Sequence, residues 1–270
     1  MDTIDFIGGG NMAAAIIGGL RAAGAAAERF IVVDPGPAQR ERLLQAHGVR
    51  ALAAPGSALS DAAVIVWAVK PQSFADAAAQ VAPHLGDALH VSIMAGVRCA
   101  AIARRTGAAR IVRAMPNTPA LIGRGVAGLY ANDACGAEDR SAAEAVLAPT
   151  GELLWVDAEA QLDAVTALSG SGPAYVFYVI EAMTAAGARL GLAADVAQRL
   201  AVATVAGAAE LARGSELKPA QLREQVTSKG GTTAAALEQL AAHGLVDAFD
   251  AALAAAARRA GELGDALDAD

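Results

Sequence analysis

The chain has 270 residues, with 21 Lys and Arg against 28 Asp and Glu, a net charge of −7, 55% hydrophobic residues and only 4% aromatics. An acidic chain without Lys/Arg clusters is poorly suited to a nucleic-acid backbone or an anionic membrane surface, and this apolar share excludes a disordered chain. Cys99 and Cys135 are too few for a disulfide framework or a four-thiolate zinc site, and no cluster of metal ligands stands out, so no metal is expected.

No positively charged stretch precedes an apolar one at the start, and the longest apolar runs fall well short of the roughly 20 residues that span a bilayer. A cytoplasmic location without a membrane partner is the expectation. In the first half, β-branched runs alternate with alanine-rich helical runs. Strands are expected at 3–7, 29–33, 63–69, 90–94, 110–114, 125–130 and 152–156. Helices are expected at 11–23, 38–47, 72–85, 100–106 and 138–147. Ala63–Val69 is apolar throughout, the pattern of a strand buried on both faces. Repeated β-α-β units with short links imply an α/β fold, a doubly wound parallel sheet.

Near Asp157 the strand signals stop and the pattern turns helical. The expected division is an N-terminal Rossmann-type dinucleotide-binding domain at 1–157 and an all-helical domain at 158–270. The stretches 174–180 and 200–209 carry no charged residue. Helices apolar all round must be buried all round, either as a central pair or against another subunit. We read them as the core of a homodimer.

The segment Ile7-Gly8-Gly9-Gly10-Asn11-Met12-Ala13 ends the first strand and opens a helix. Gly8, Gly10 and Ala13 fit G-x-G-x-x-A, which allows a tight turn, close approach of a pyrophosphate and close helix–strand packing. Asp34 ends the second strand, where an acidic side chain accepts bonds from ribose hydroxyls. It disfavours a 2′-phosphate unless Arg40 or Arg42 comes near. Asp34 capping the Pro35-Gly36 turn is the alternative, so NAD and NADP both stay open as cofactors. Ala68-Val69-Lys70-Pro71 and Ile93-Met94-Ala95 end the next two strands of the parallel order, at the edge where ligands bind.

In the helical half, Ser169-Gly170-Ser171-Gly172-Pro173 and Thr227-Ser228-Lys229-Gly230-Gly231-Thr232-Thr233 each open a helix. Such starts offer unpaired N–H groups and hydroxyls to a small carboxylate. The helical half holds one histidine, His243, and its lysines Lys218 and Lys229 fall in loops. Hydroxy-acid dehydrogenation needs a positioned His or Lys. Reduction of an imine, whose protonated C=N is already electrophilic, suits this site better.

Taken in order, the glycine motif, Ala68-Val69-Lys70-Pro71, Arg113-Ala114-Met115-Pro116-Asn117-Thr118-Pro119, Ser169-Gly170-Ser171-Gly172-Pro173-Ala174-Tyr175 and Val226-Thr227-Ser228-Lys229-Gly230-Gly231-Thr232-Thr233 resemble the pyrroline-5-carboxylate reductase family. The resemblance implies NAD(P)H-dependent reduction of 1-pyrroline-5-carboxylate, a cyclic imino acid, to L-proline. It also implies a helical domain that dimerises, with dimers often building decamers. By position, Ile7–Met12, Ala68–Pro71 and Ile93–Ala95 would hold the cofactor, and Glu216, Val226, Ser228, Gly231, Thr232 and Thr233 the substrate. Thr233 would lie near the ring nitrogen as the catalytic residue. The chain departs from the pattern at Lys229, where many members have Pro, and at Pro55-Gly56-Ser57, where many have an Asn that holds the ribose. Reduction of a related imine or keto compound, and dinucleotide binding without turnover, are the competing readings.

Overall fold

The computed structural model describes residues 3–269. Eight strands form one sheet: β1 (Thr3–Ile7), β2 (Phe30–Val33), β3 (Ala51–Leu52), β4 (Ala62–Trp67), β5 (Leu89–Ser92), β6 (Ile111–Met115), β7 (Gly125–Ala131) and β8 (Gly151–Trp155). Their spatial order is β3-β2-β1-β4-β5-β6-β7-β8, and the first six in that row run parallel. The order reverses at β1 and β4, so the carboxyl ends of these strands flank a crevice.

The sheet is not parallel throughout, as the sequence had suggested. β7 returns antiparallel beside β6, and β8 is parallel to β7. Only nine residues link Met115 to Gly125. A parallel crossover needs about a dozen or more, so the chain turns straight back. The two-residue β3, absent from the expected strands, pairs with the end of β2.

Helices cover both faces. On one lie α1 (Asn11–Ala22), α2 (Pro37–His47) and α5 (Ala137–Leu147), which pack Ile16, Ile17, Leu43 and Val146 against Phe6 and Val66. On the other lie α3 (Phe74–Val81) and α4 (Cys99–Thr106), which pack Phe74, Val81 and Ile102 against Ile65 and Trp67. The helix expected at 72–85 is regular α-helix only over α3 and has 3-10 turns at both ends. Pro71 and Pro83 account for this, since proline lacks an N–H and restricts the residue before it.

After β8 the chain is helical: α6 (Gln161–Val165), a π-helical turn at Thr166–Gly170, α7 (Gly172–Arg189), α8 (Ala194–Arg213), α9 (Pro219–Gln225), α10 (Thr232–Ala242) and α11 (Leu245–Ala269). Two compact units result. The first runs through Ser171 and also takes the chain from Ala255 onward; the second is Gly172–Ala254. The first unit therefore extends past the 157/158 division drawn from the last strand. α6 explains part of this: Leu162 is buried, and Val165 fills the space above Gly128. The end of α11 explains the rest, because Gly264 lies against Gly96 and Asp265 pairs with Arg98 at 2.6 Å.

In the second unit, α7 and α8 form an antiparallel hairpin through a turn in which Gly191 has φ +100°. Gly187 lets the helices meet closely, since a Cβ there would lie 3.1 Å from that of Ala197. Only Ala197 and Ala201 of this unit are buried. Among the described residues, no single helix is long and apolar enough to cross a membrane.

Candidate active site

The dinucleotide-type residues gather at the carboxyl ends of β1, β2, β4 and β5 in the first unit. Gly8 has φ +96°, and a Cβ there would fall 2.7 Å from the Ala68 carbonyl oxygen, so this position requires glycine. The Gly8 amide donates to the Val33 carbonyl at 2.8 Å, and the Ala68 amide donates to the Ile7 carbonyl at 2.8 Å. Gly10 is the N-cap of α1, with no side-chain cap and open space where a Cβ would stand. The first amides of α1 thus face outward without a capping side chain. A pyrophosphate fits this entrance: the donors, the helix dipole and the missing Cβ all favour it.

Asp34 is tied into the same loop. Its Oδ2 accepts the Gly9 amide and its Oδ1 the Gly36 amide, both at 2.8 Å. The turn-capping alternative for Asp34 therefore describes half of what it does, because it also fixes the glycine loop. Gln39 supports that loop by donating its amide to the Gly9 carbonyl. Arg42 donates to the Asn11 side chain at 2.8 Å, and Arg40 donates to the Asp34 and Pro35 carbonyls, both at 2.8 Å. The role of Gln39 was missed in the sequence. Its only signal there was a polar side chain in the turn of helix that follows Asp34.

Beside Asp34 opens a crevice of about 210 Å³ lined by Ile7, Val33, Pro35, Ala53, Pro55 and Val69. Ser73, Asp76 and Gln80 also line it, and its mainly apolar walls suit a flat heteroaromatic ring. Lys70 is exposed at the end of β4; its carbonyl accepts the Ser73 amide at 2.9 Å, and its ammonium has no hydrogen-bond or ion-pair partner among the described residues. Met94 is buried and its amide donates to the Ser92 hydroxyl at 3.3 Å. Ile93 is half-buried, its amide bonded to the Trp67 carbonyl at 3.1 Å.

The substrate-type residues lie in the second unit. Ser228, Lys229 and Gly230 form a turn closed by the Gly231 amide, which donates to the Ser228 carbonyl at 3.0 Å. Gly230 takes φ +74°. Gly231 is the N-cap of α10 without a side-chain cap, and Thr232 and Thr233 are its first two residues. The hydroxyls of Ser228, Thr232 and Thr233 have no partner among the described residues, whereas Thr227 donates to the Arg223 carbonyl at 2.6 Å. Amides and hydroxyls therefore converge at one helix start, suited to a carboxylate. Val226 is exposed beside them. Glu216 sits before α9 and Val226 after it, so the seven residues of α9, about 10 Å of helix, separate them.

The other Gly/Ser group is engaged structurally. The Ser169 hydroxyl donates to the Val165 carbonyl at 3.0 Å, and the Ser169 carbonyl accepts from Asn117 Nδ2 at 3.1 Å. A Cβ on Gly170 would strike Met115 at 2.6 Å. Among the described residues, no group of three or more His, Cys, Asp or Glu is placed to hold a metal ion.

Residues 159–263 match the pyrroline-5-carboxylate reductase dimerisation family. A protein of Pseudomonas aeruginosa named pyrroline-5-carboxylate reductase is 46% identical over 266 residues, covering 98% of this chain and 97% of that protein. The chain belongs to the pyrroline-5-carboxylate reductase family. A reductase of the same name from Pisum sativum is 36% identical, with 97% and 96% covered. Among solved structures, the pyrroline-5-carboxylate reductase of Coxiella burnetii superposes with a TM-score of 0.91 at 38% identity, covering 97% of this chain and 98% of that one. The Plasmodium falciparum reductase, solved with NADP bound, gives 0.85 at 26% identity over 97% and 98%. Residues 3–96 also match a family described as NADP oxidoreductase, coenzyme F420-dependent.

Proposed function

We propose that this chain reduces 1-pyrroline-5-carboxylate to L-proline. Family membership over nearly the whole chain supports the reading, and the unpartnered hydroxyl and amide set at the start of α10 carries it. The glycine loop would hold NAD(P)H, which would supply hydride chemistry for the imine carbon. The Gly10–Met12 segment would hold the pyrophosphate, and the ends of β4 and β5, at Ala68–Pro71 and Ile93–Ala95, the nicotinamide half. Ser228 and the amides of Gly231, Thr232 and Thr233 would grip the substrate carboxylate, with Val226 and Glu216 completing the substrate residues. The Thr233 hydroxyl, or a water it holds, would hydrogen-bond the ring nitrogen, whose one proton comes from solvent as the hydride adds to carbon and C=N becomes CH–NH. The protein acts mainly by orienting two reactants. Exposed apolar side chains on α7 and α8 support a homodimer built on the second unit, and the family resemblance adds five such dimers in a decamer as its larger form. The test follows reduced-nicotinamide absorbance with pyrroline-5-carboxylate and with its six-membered analogue. Oxidation that depends on the five-membered imine is expected; none with either NADH or NADPH would refute the proposal.

A further inference from the structure

We infer that Arg40 is the residue that lets the adenosine crevice take a 2′-phosphorylated ribose despite Asp34. The inference rests on the cofactor reading above and goes on to name what sets cofactor preference. Asp34 stands beside the crevice with its carboxylate fixed by the Gly9 and Gly36 amides. A carboxylate only accepts hydrogen bonds, so it suits ribose hydroxyls and opposes a phosphate, which has no proton to give. A 2′-phosphate is tolerable there only with a cation on the same turn.

Arg40 and Arg42 of α2, and Lys70 after β4, are the candidates for that cation. Arg42 is held on Asn11, at the start of α1. Lys70 stands at the end of β4, two strands away from β2 in the sheet. Arg40 alone of the three is pinned to the turn itself, because its Nη1 donates to the carbonyls of both Asp34 and Pro35. That leaves Nη2 and Nε without a partner among the described residues, and a guanidinium offers these donors in a planar fork that matches a phosphate. The Asp34 and Arg40 charges offset each other at the ribose. The chain then accepts both cofactors, Asp34 serving the hydroxyls of one and Arg40 the phosphate of the other.

The test is calorimetric titration of the full chain with NADPH and with NADH, in the absence of imino acid, for the parent, Arg40→Gln and Arg40→Lys. In Arg40→Gln the ratio Kd(NADPH)/Kd(NADH) is expected to rise about tenfold, the scale of one charge-assisted pair, and Arg40→Lys to recover part of it. Loss of packing alone would weaken both cofactors together and leave the ratio flat. A ratio within twofold of the parent in both variants overturns the role of Arg40 and leaves the reductase reading intact. A parent that binds neither cofactor overturns both. Titration of the parent with adenosine 2′,5′-bisphosphate and 5′-AMP gives a check free of any variant: comparable affinities are expected, and binding of 5′-AMP without binding of the 2′-phosphorylated ligand would also overturn the inference.

Discussion

Arg113 in β6 and Glu159, 46 residues later, form an ion pair of 2.8 Å whose arginine side chain is only 6% exposed. The same Glu159 oxygen accepts the Cys99 amide at 2.7 Å, at the start of α4. One carboxylate thus ties the central sheet, a flanking helix and the segment after β8. It also pushes the buried Cys99 thiol upward, adding to burial itself, so that thiol stays protonated. Removing one partner of a buried pair costs about 3 kcal/mol or more, because the other charge is left stranded. Glu159→Ala should therefore lower unfolding free energy by about 3 kcal/mol, and Glu159→Gln by less, since its amide oxygen still accepts from Cys99. Urea titration of the three proteins checks the order; a loss under about 0.5 kcal/mol for Glu159→Ala would contradict it.

Asp5 and His90 occupy one row of the sheet, each paired in register with Ile65 between them. Burial dominates both: it raises the Asp5 carboxyl from 3.8 to about 7 and lowers His90 from 6.5 to about 4. The nearby Arg110 charge adds to the His90 shift, and Trp67 Nε1 donates to neutral His90 Nδ1 at 3.0 Å. Between pH 3.8 and about 7 the folded chain keeps an Asp5 proton that the unfolded chain has lost, so this group's stabilisation declines as pH rises. Between about 4 and 6.5 the unfolded chain holds a His90 proton that the folded chain lacks, so stability rises with pH. The two slopes offset each other. Asp5→Val removes only the first, and its stability relative to the parent should grow by about 1.4 kcal/mol per pH unit from pH 4.5 to 6.5. Parallel profiles for the two proteins would refute this.

Seven of the eight strands were legible because apolar β-branched runs between turn residues report local burial. β3 was not, since two residues carry no period and its pairing with Val32 and Val33 is non-local. The reversal at β7 was readable only through the length of the link before it. The glycine motif marked the loop between β1 and α1, but not that Asp34 anchors Gly9 or that Arg40 and Arg42 take different partners. Those are contacts across 25 or more residues, or choices between neighbouring side chains. The return of α11 to the first unit, through Gly264 on Gly96, left no mark in an alanine-rich run.

Gly8 and Gly10 should respond differently to alanine. At Gly8 the backbone is left-handed and the added Cβ would strike the Ala68 carbonyl at 2.7 Å. Gly8→Ala should destabilise the fold by about 2 kcal/mol. Gly10 has φ −62° and nothing within 4 Å of its Cβ position, so Gly10→Ala should lose only the N-cap preference for glycine over alanine and melt within about 3 °C of the parent. Its methyl would instead stand where the pyrophosphate approaches, raising Kd for NAD(P)H about tenfold or more. Thermal melts paired with cofactor titration separate the two. Equal melting losses in both variants would contradict the assignment.

Ser228 and Thr233 lie at one helix start but are assigned to different parts of the substrate. Ser228→Ala should raise KM for the imino acid about tenfold with little change in kcat, as expected for a lost charge-assisted bond to the carboxylate. Thr233→Ala should lower kcat by about tenfold to a hundredfold, because its bond to the ring nitrogen strengthens as hydride addition pushes electron density onto that nitrogen. Steady-state kinetics at saturating cofactor reads both. A Thr233→Ala enzyme with parental kcat would remove its catalytic role.

On α7, Phe177 is 60% and Tyr178 73% exposed in the single chain, and on α8 Leu200 and Leu211 are 53% and 72% exposed. Adjacent positions on a helix point about 100° apart, so Phe177 and Tyr178 leave a broad face apolar. The second unit buries no large side chain of its own beneath these helices. A second copy covering the hairpin would remove that apolar area from water, at about 25 cal/mol per Å². Placing two carboxylates there by Phe177→Glu and Tyr178→Glu forces buried charge into any such interface. Light scattering should then report a mass near that of one chain where the parent gives a dimer or a multiple of it, with the cofactor-binding unit still folded by NAD(P)H titration. A double variant that keeps the parental mass would exclude this face of α7 from the interface.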